Sequence, residues 1–188
     1  PKGLEQKEKD ILLKYLDNLL INSNKITDYR NSLIIKIFLF CGLREQEMIN
    51  LKISDLREED EETYVIYLIG KGDKEREVFI KKSLINFELN ELIEKEYKFI
   101  CETSSGKQMD GSQIYRMLKS IYNKLNIKAN VHDLRHTFAS FLIKQGIPLY
   151  HVSQLLGHSD MRITQRYAHL APENLHECLN VLPQLTQD

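Results

Sequence analysis

The sequence predicts a mainly α-helical domain with one small antiparallel β-hairpin or sheet. Apolar residues recur at helical spacing through most of the chain. Only one window, 63–80, is rich in β-branched and aromatic residues, and it surrounds the turn Gly70-Lys71-Gly72-Asp73. Of the 188 residues, 42% are hydrophobic and 28% charged, a balance that favours a packed core over disorder.

The elements follow in order. Residues 4–20 carry Ile11, Leu12, Tyr15, Leu16, Leu19 and Leu20 on one face of a helix. Thr27 and Asp28 are good N-cap types for a second, more apolar helix that runs to Cys41 and stops at Gly42. A short helix is expected over 45–51. Strands are expected over 63–69 and 76–80, then a helix over 83–99 and a polar loop over 103–107. Residues 111–125 place Ile114, Met117, Leu118 and Ile121 on one side of a helix. Residues 133–145 form another, ended by Gly146, and 149–156 a short one stopped by Gly157. Ser159 is a cap for a helix carrying Tyr167, and Pro172 opens a last helix through Leu175 and Leu179. The chain divides into a linker and helix over 1–26, a core over 27–170 and a tail helix over 171–188.

Three widely spaced cysteines, Cys41, Cys101 and Cys178, form neither a disulfide framework nor a zinc pattern. They fit a reducing cytoplasm. No segment reaches the roughly 18 apolar residues of a membrane span, and no signal peptide opens the chain. Net charge is −1. Its distribution is uneven: residues 111–170 hold eight Lys/Arg against two Asp/Glu. A basic stretch of this kind offers one phosphate-binding face or is uneven scatter on a solvated surface.

His132-Asp133-Leu134-Arg135 puts a His and an Arg at i and i+3 near a helix start, where free N–H groups and the dipole favour an anion. Gly157-His158 and Arg166-Tyr167-Ala168-His169 follow. Each motif alone is ordinary. Together, His132, Arg135, His158 and Tyr167 fall in order at offsets of 3, 23 and 9 residues. Upstream stand Gly42-Leu43-Arg44 and Gly70-Lys71-Gly72. From about residue 30 to 175 this set resembles the tyrosine recombinase, or phage integrase, family, with a Xer-like pattern. Gln46 occupies a position where that family often has Ser.

The resemblance implies a tyrosine recombinase or type IB topoisomerase-like fold. It implies DNA cleavage and rejoining through a 3′-phosphotyrosyl intermediate. A phenol with a pKa of about 10 must lose its proton as it attacks a phosphate. The sequence shows no metal motif, so fixed cations are expected to stabilise the transition state, with no cofactor. In these roles the resemblance places Tyr167 as nucleophile and Arg44, Arg135 and His158 on the phosphoryl oxygens. His132 is the expected proton acceptor from Tyr167, and Lys71 the donor to the leaving 5′-oxygen. Glu47 orients Arg44 or pairs with it in solvent. Lys74 and Arg76 hold phosphate, and His136 and His169 are structural residues that point elsewhere.

The implied partner is double-stranded DNA, with four copies on synapsed DNA and weak or no association alone. The tail beyond 171 docks on a neighbouring protomer or on its own core. The residues ahead of position 30 are too few for the family's N-terminal clamp domain. Binding of duplex by this chain alone is therefore expected to be weak. Three alternatives stay open: a type IB topoisomerase, a non-catalytic helix-turn-helix module built on 133–156, and a metal-dependent nuclease using the acids at 58–62.

Overall fold

Helix α2 (Ile26–Cys41) organises the fold because almost all of its faces are apolar and buried. In the computed structural model, which describes residues 3–70 and 75–171, α2 packs against α1 (Gln6–Asn22), α4 (Lys82–Glu94) and α6 (Val131–Lys144). A helix hydrophobic all round must sit inside a core. Its three buried polar groups are matched: Arg30 donates to the Glu102 carbonyl at 2.8 Å, and Lys36 and Ser32 share one carboxylate. Lys36 Nζ lies 2.5 Å from Glu88 Oε1 and donates to the Leu84 carbonyl at 2.9 Å. Ser32 Oγ donates to the same carboxylate at 2.7 Å. The Lys36 and Glu88 side chains are 8% and 1% exposed, so neither charge has water as an alternative partner.

Strands β1 (Leu56–Glu58), β2 (Thr63–Ile69) and β3 (Glu75–Lys81) form one antiparallel sheet in that order. The expected strands are present, with β1 added at an edge. The register pairs Ile66 with Val78 and Leu68 with Arg76. Strand alternation therefore puts Arg76 on the same inward face as Val78 and Ile80. Helices α3 (Glu45–Asn50), α5 (Gly111–Leu125), α7 (Leu149–Leu156) and α8 (Arg162–Gln165) complete the described α-helices, and 3₁₀ turns lie at Ile53–Asp55 and Ala168–Leu170.

Several expected boundaries move, each for a visible reason. Helix α2 starts at Ile26, with Lys25 rather than Thr27 or Asp28 at the cap, because Asp28 is engaged by Ser23 Oγ at 2.5 Å. The helix expected to reach residue 99 ends at Glu94. Beyond it Glu96 turns left-handed, and Glu102 accepts the N–H groups of Lys98 and Phe99. Residues 98–100 then pair with the stretch after α3. Ser159 does not cap the following helix; Asp160 accepts the Arg162 N–H instead. That helix spans only Arg162–Gln165, so Tyr167 opens a 3₁₀ turn rather than riding on a helix. The hairpin tip with Lys71 and Lys74, and the tail helix expected from Pro172, lie outside the described residues.

A large cluster joins α1, α2, the sheet, α4, α5 and the start of α6. A smaller one holds Phe138, Ala139, Ile143, Val152, Leu156 and Tyr167. Helix α6 contributes to both, through Leu134 and Phe138, and so fixes the small cluster to the large one.

The buried pair in the large cluster gives a stability test. Glu88→Ala leaves the Lys36 ammonium buried without its counter-ion and is expected to cost about 3–5 kcal/mol. The double change Lys36→Met with Glu88→Leu is expected to cost less than Glu88→Ala alone. Urea unfolding checks both; a double variant as unstable as the summed single ones contradicts the pairing.

Candidate active site

Two glycine stops and two helix starts place the site. Helix α2 ends at Gly42 with φ 63°, and α7 ends at Gly157 with φ 65°, both in the left-handed region. A Cβ at Gly42 would collide with the Phe138 ring, and one at Gly157 with the Arg76 side chain. Arg44 stands two residues after the first stop, at the cap of α3. His158 directly follows the second. Helix α6 presents His132, Arg135 and His136 on neighbouring turns.

The last carbonyls of α7 gather three arginines. Arg76 Nε donates to the Leu155 carbonyl at 2.9 Å. Arg135 donates to that of Leu156 at 2.8 Å and, through its other terminal nitrogen, to that of Gly42. Arg44 donates to the Gly157 carbonyl at 2.6 Å. The C-terminal carbonyls of a helix lack intrahelical donors and carry negative partial charge, so cations settle there.

One carboxylate balances the cluster. Glu47 takes both terminal nitrogens of Arg76, at 2.5 and 2.7 Å, and the Arg44 Nη1 at 2.9 Å. It also accepts the Arg44 backbone N–H at 2.7 Å. Burial alone would push the Glu47 carboxyl up, but hydrogen bonds from Arg76 and Arg44 outweigh it and hold the group below its ordinary range. Glu47 thus orients Arg44, as one of the two sequence readings has it.

Arg76 departs from expectation. Its side chain is 9% exposed and its guanidinium is taken up by Glu47 and Leu155. It is a strut between β3, α3 and α7, not a phosphate holder. The inward register position beside Val78 and Ile80 carries that signal in the sequence. Arg44 is 37% exposed and keeps a face open to a ligand. Burial, then the nearby Arg44, lowers the Arg135 guanidinium to about 10, which leaves it charged at neutral pH.

His158 Nδ1 lies 2.7 Å from Thr164 Oγ1, a buried hydroxyl on α8. With Thr164 donating, the His158 proton sits on Nε2, free to donate outward. Burial and then Arg135 and Arg44 lower His158 to about 4, so it is neutral at pH 7.

Tyr167 is 2% exposed, its ring in the small cluster with Arg166 5.3 Å above it. Burial raises its phenol above the ordinary value, opposed by Arg166 and Arg135. Its hydroxyl meets Nδ1 of His136. The expectation that His136 points away is therefore corrected: the fold-back of α6, α7 and α8 brings its ring to the tyrosine. Burial and Arg166 lower His136 to about 4 against the opposing pull of Asp133. His132 is exposed on the first turn of α6, and its ring makes no hydrogen bond among the described residues. Two N–H groups expected to be free there, those of His132 and Asp133, are taken by Asn130 Oδ1. Lys71 lies outside the described residues.

The arrangement offers two charged guanidinium groups, a neutral histidine donor and a buried phenol. Such a set can hold an oxyanion through fixed donors and has a phenol oxygen beside it.

The phage integrase family model matches residues 2–174. Similar curated proteins include the tyrosine recombinase XerH of Campylobacter jejuni, 33% identical over 98% of this chain and 54% of that protein. The tyrosine recombinase XerA of Pyrococcus horikoshii is 28% identical over 95% of this chain and 60% of that protein. The chain thus spans little more than half the length of these relatives. A crystal structure of XerH bound to palindromic difH substrate, a post-cleavage complex, matches with TM-score 0.81 and 30% identity over 96% of this chain and 53% of that one. The catalytic domain of bacteriophage HP1 integrase shares the fold with TM-score 0.69 and 24% identity, over 97% of this chain and 96% of that one.

The two lowered histidines give a pH test. The unfolded chain binds a proton at each near the ordinary 6.5, while the folded chain resists it until about 4. The stability present above pH 6.5 is therefore lost as pH falls toward 4. The melting temperature is expected to be lower at pH 5 than at pH 7, with Glu47 still ionised at both. Equal values, by scanning calorimetry at constant ionic strength, contradict the assignment.

Proposed function

The chain belongs to the phage integrase family, and from that premise we propose that it is the catalytic domain of a site-specific tyrosine recombinase acting on double-stranded DNA. The observation that carries this reading is the trio of arginines on the α7 stop, with Tyr167 seated against the same helix. Arg44 and Arg135 each keep donors for the phosphoryl oxygens, and His158 adds one from Nε2. His132, on the first turn of α6 and three residues before Arg135, stands at the edge of the same anion site. Arg76 and Glu47 hold the strand that leads to Lys71.

The chemistry follows from these donors. Tyr167 Oη attacks the scissile phosphorus and expels the 5′-oxygen. The extra charge of the transition state falls on donors already fixed by carbonyls and Glu47, so little reorganisation is needed during reaction. Lys71 gives the leaving 5′-oxygen its proton. The product is a 3′-phosphotyrosyl bond and a 5′-hydroxyl. Attack by the 5′-hydroxyl of a second strand reverses the step and conserves the bond energy. Four copies assemble on synapsed DNA, and the protein works in the cytoplasm. XerH, at similar identity, is seen bound to its difH substrate before and after cleavage, which supports DNA as the partner here.

A nicked suicide duplex carrying a site selected by binding from a randomised pool tests this. Incubation in chelator is expected to give a denaturation-resistant protein–DNA adduct, absent with Tyr167→Phe. No adduct from a chain that demonstrably binds that duplex contradicts the proposal and favours a non-catalytic binding module. Plasmid relaxation without strand exchange redirects it to a topoisomerase.

A further inference from the structure

The hydroxyl of Tyr167 does not rest against the histidine that the family resemblance names for its proton. It rests against Nδ1 of His136, four residues further along α6. The ring centroids lie 5.8 Å apart at an interplanar angle of 49°, which brings the hydroxyl to the edge of the imidazole rather than its face. The Arg135 guanidinium acts on the Tyr167 phenol through its charge, so an oxyanion held by Arg135 lies close to this pair. We infer that His136 accepts the phenolic proton of Tyr167 during attack on DNA, an assignment that rests on the recombinase reading above.

Four features support the role. The contact uses Nδ1, so the tautomer protonated on Nε2 turns a lone pair toward the phenol. The half-buried ring is neutral at pH 7, as a base must be before it acts. Arg166 over the tyrosine ring and Arg135 beyond it oppose the burial of charge on Oη, which eases loss of the proton. Asp133, one turn earlier on α6, favours the imidazolium that results.

The step balances simply. The Tyr167 O–H bond breaks and its proton passes to His136 Nδ1. The Oη–P bond forms as the P–O5′ bond breaks, and the 5′-oxygen takes its proton from the Lys71 ammonium. Rejoining runs the same transfers backwards.

His136→Asn is the decisive variant, because its carbonyl oxygen takes the place of Nδ1, accepting the hydrogen bond but not the proton. Single-turnover adduct formation on the nicked suicide duplex is expected to slow by at least about 100-fold, with duplex binding unchanged. His136→Ala is expected to be similarly slow and partly restored by added imidazole. Adduct formation by His136→Asn at the unaltered rate overturns the assignment and leaves a structural hydrogen bond. A faster rate overturns it in favour of a latch that restrains the nucleophile. A measurement on the unaltered, DNA-free chain does not depend on any variant folding. The ¹⁵N spectrum of the histidines is expected to show His136 Nδ1 without a proton, and a protonated Nδ1 overturns the inference. Failure of the unaltered chain to form any adduct counts against the recombinase reading itself, whereas the tautomer and the Asn variant bear on His136 alone.

Discussion

Like charges must be held together for this site to exist. Arg44, Arg76 and Arg135 crowd the end of α7, and their mutual repulsion works against the folded state. The helix end itself supplies much of the answer: three successive carbonyls, those of Leu155, Leu156 and Gly157, each accept a different arginine. Glu47 supplies the rest, bridging Arg76 and Arg44 from a buried position. The division of labour follows from exposure. Arg76 is enclosed and spends its donors on the scaffold, while Arg44 is open and keeps donors in reserve.

This constraint explains the two glycines. A helix that ends in an arginine-binding group of carbonyls must turn sharply at its last residue, and the left-handed conformation does that. Gly42 brings Arg44 back over the cluster and lends its own carbonyl to Arg135. Gly157 lets the Arg76 side chain lie against bare backbone and releases His158 toward Thr164. The small hydrophobic cluster then seats Tyr167 against the same helix, so the tyrosine and the arginines share one support.

Much of this was legible in the sequence where one local signal dominates. The strand 63–69, the helix 111–125 and the short helix 149–156 appear with the expected bounds, since period, turn residues and stops agree there. The ordered spacing of Arg44, Lys71, His132, Arg135, His158 and Tyr167 points to the family from the sequence alone. Contacts set by tertiary folding were not legible. Helix α4 stops early because Glu102, in a later loop, captures the N–H groups of Lys98 and Phe99. His136 lies beside motif residues in sequence, but its partner is 31 positions away, and only the fold-back of α6 to α8 joins them. Arg76 is an intermediate case. Its inward register beside Val78 and Ile80 was readable from alternation, yet a basic residue near a hairpin tip reads first as a phosphate contact.

The claim that a Glu47-centred ion network preorganises the phosphate site is tested most directly by a double-mutant cycle. Single-turnover adduct formation would be compared for the unaltered chain, Glu47→Gln, Arg76→Met and both together. If the two residues act through one bidentate pair, each single change slows cleavage and the double change is little worse than either. Losses that multiply in the double variant, or an Arg76→Met chain that cleaves at the unaltered rate, would show that Arg44 and Arg135 hold their places without the network.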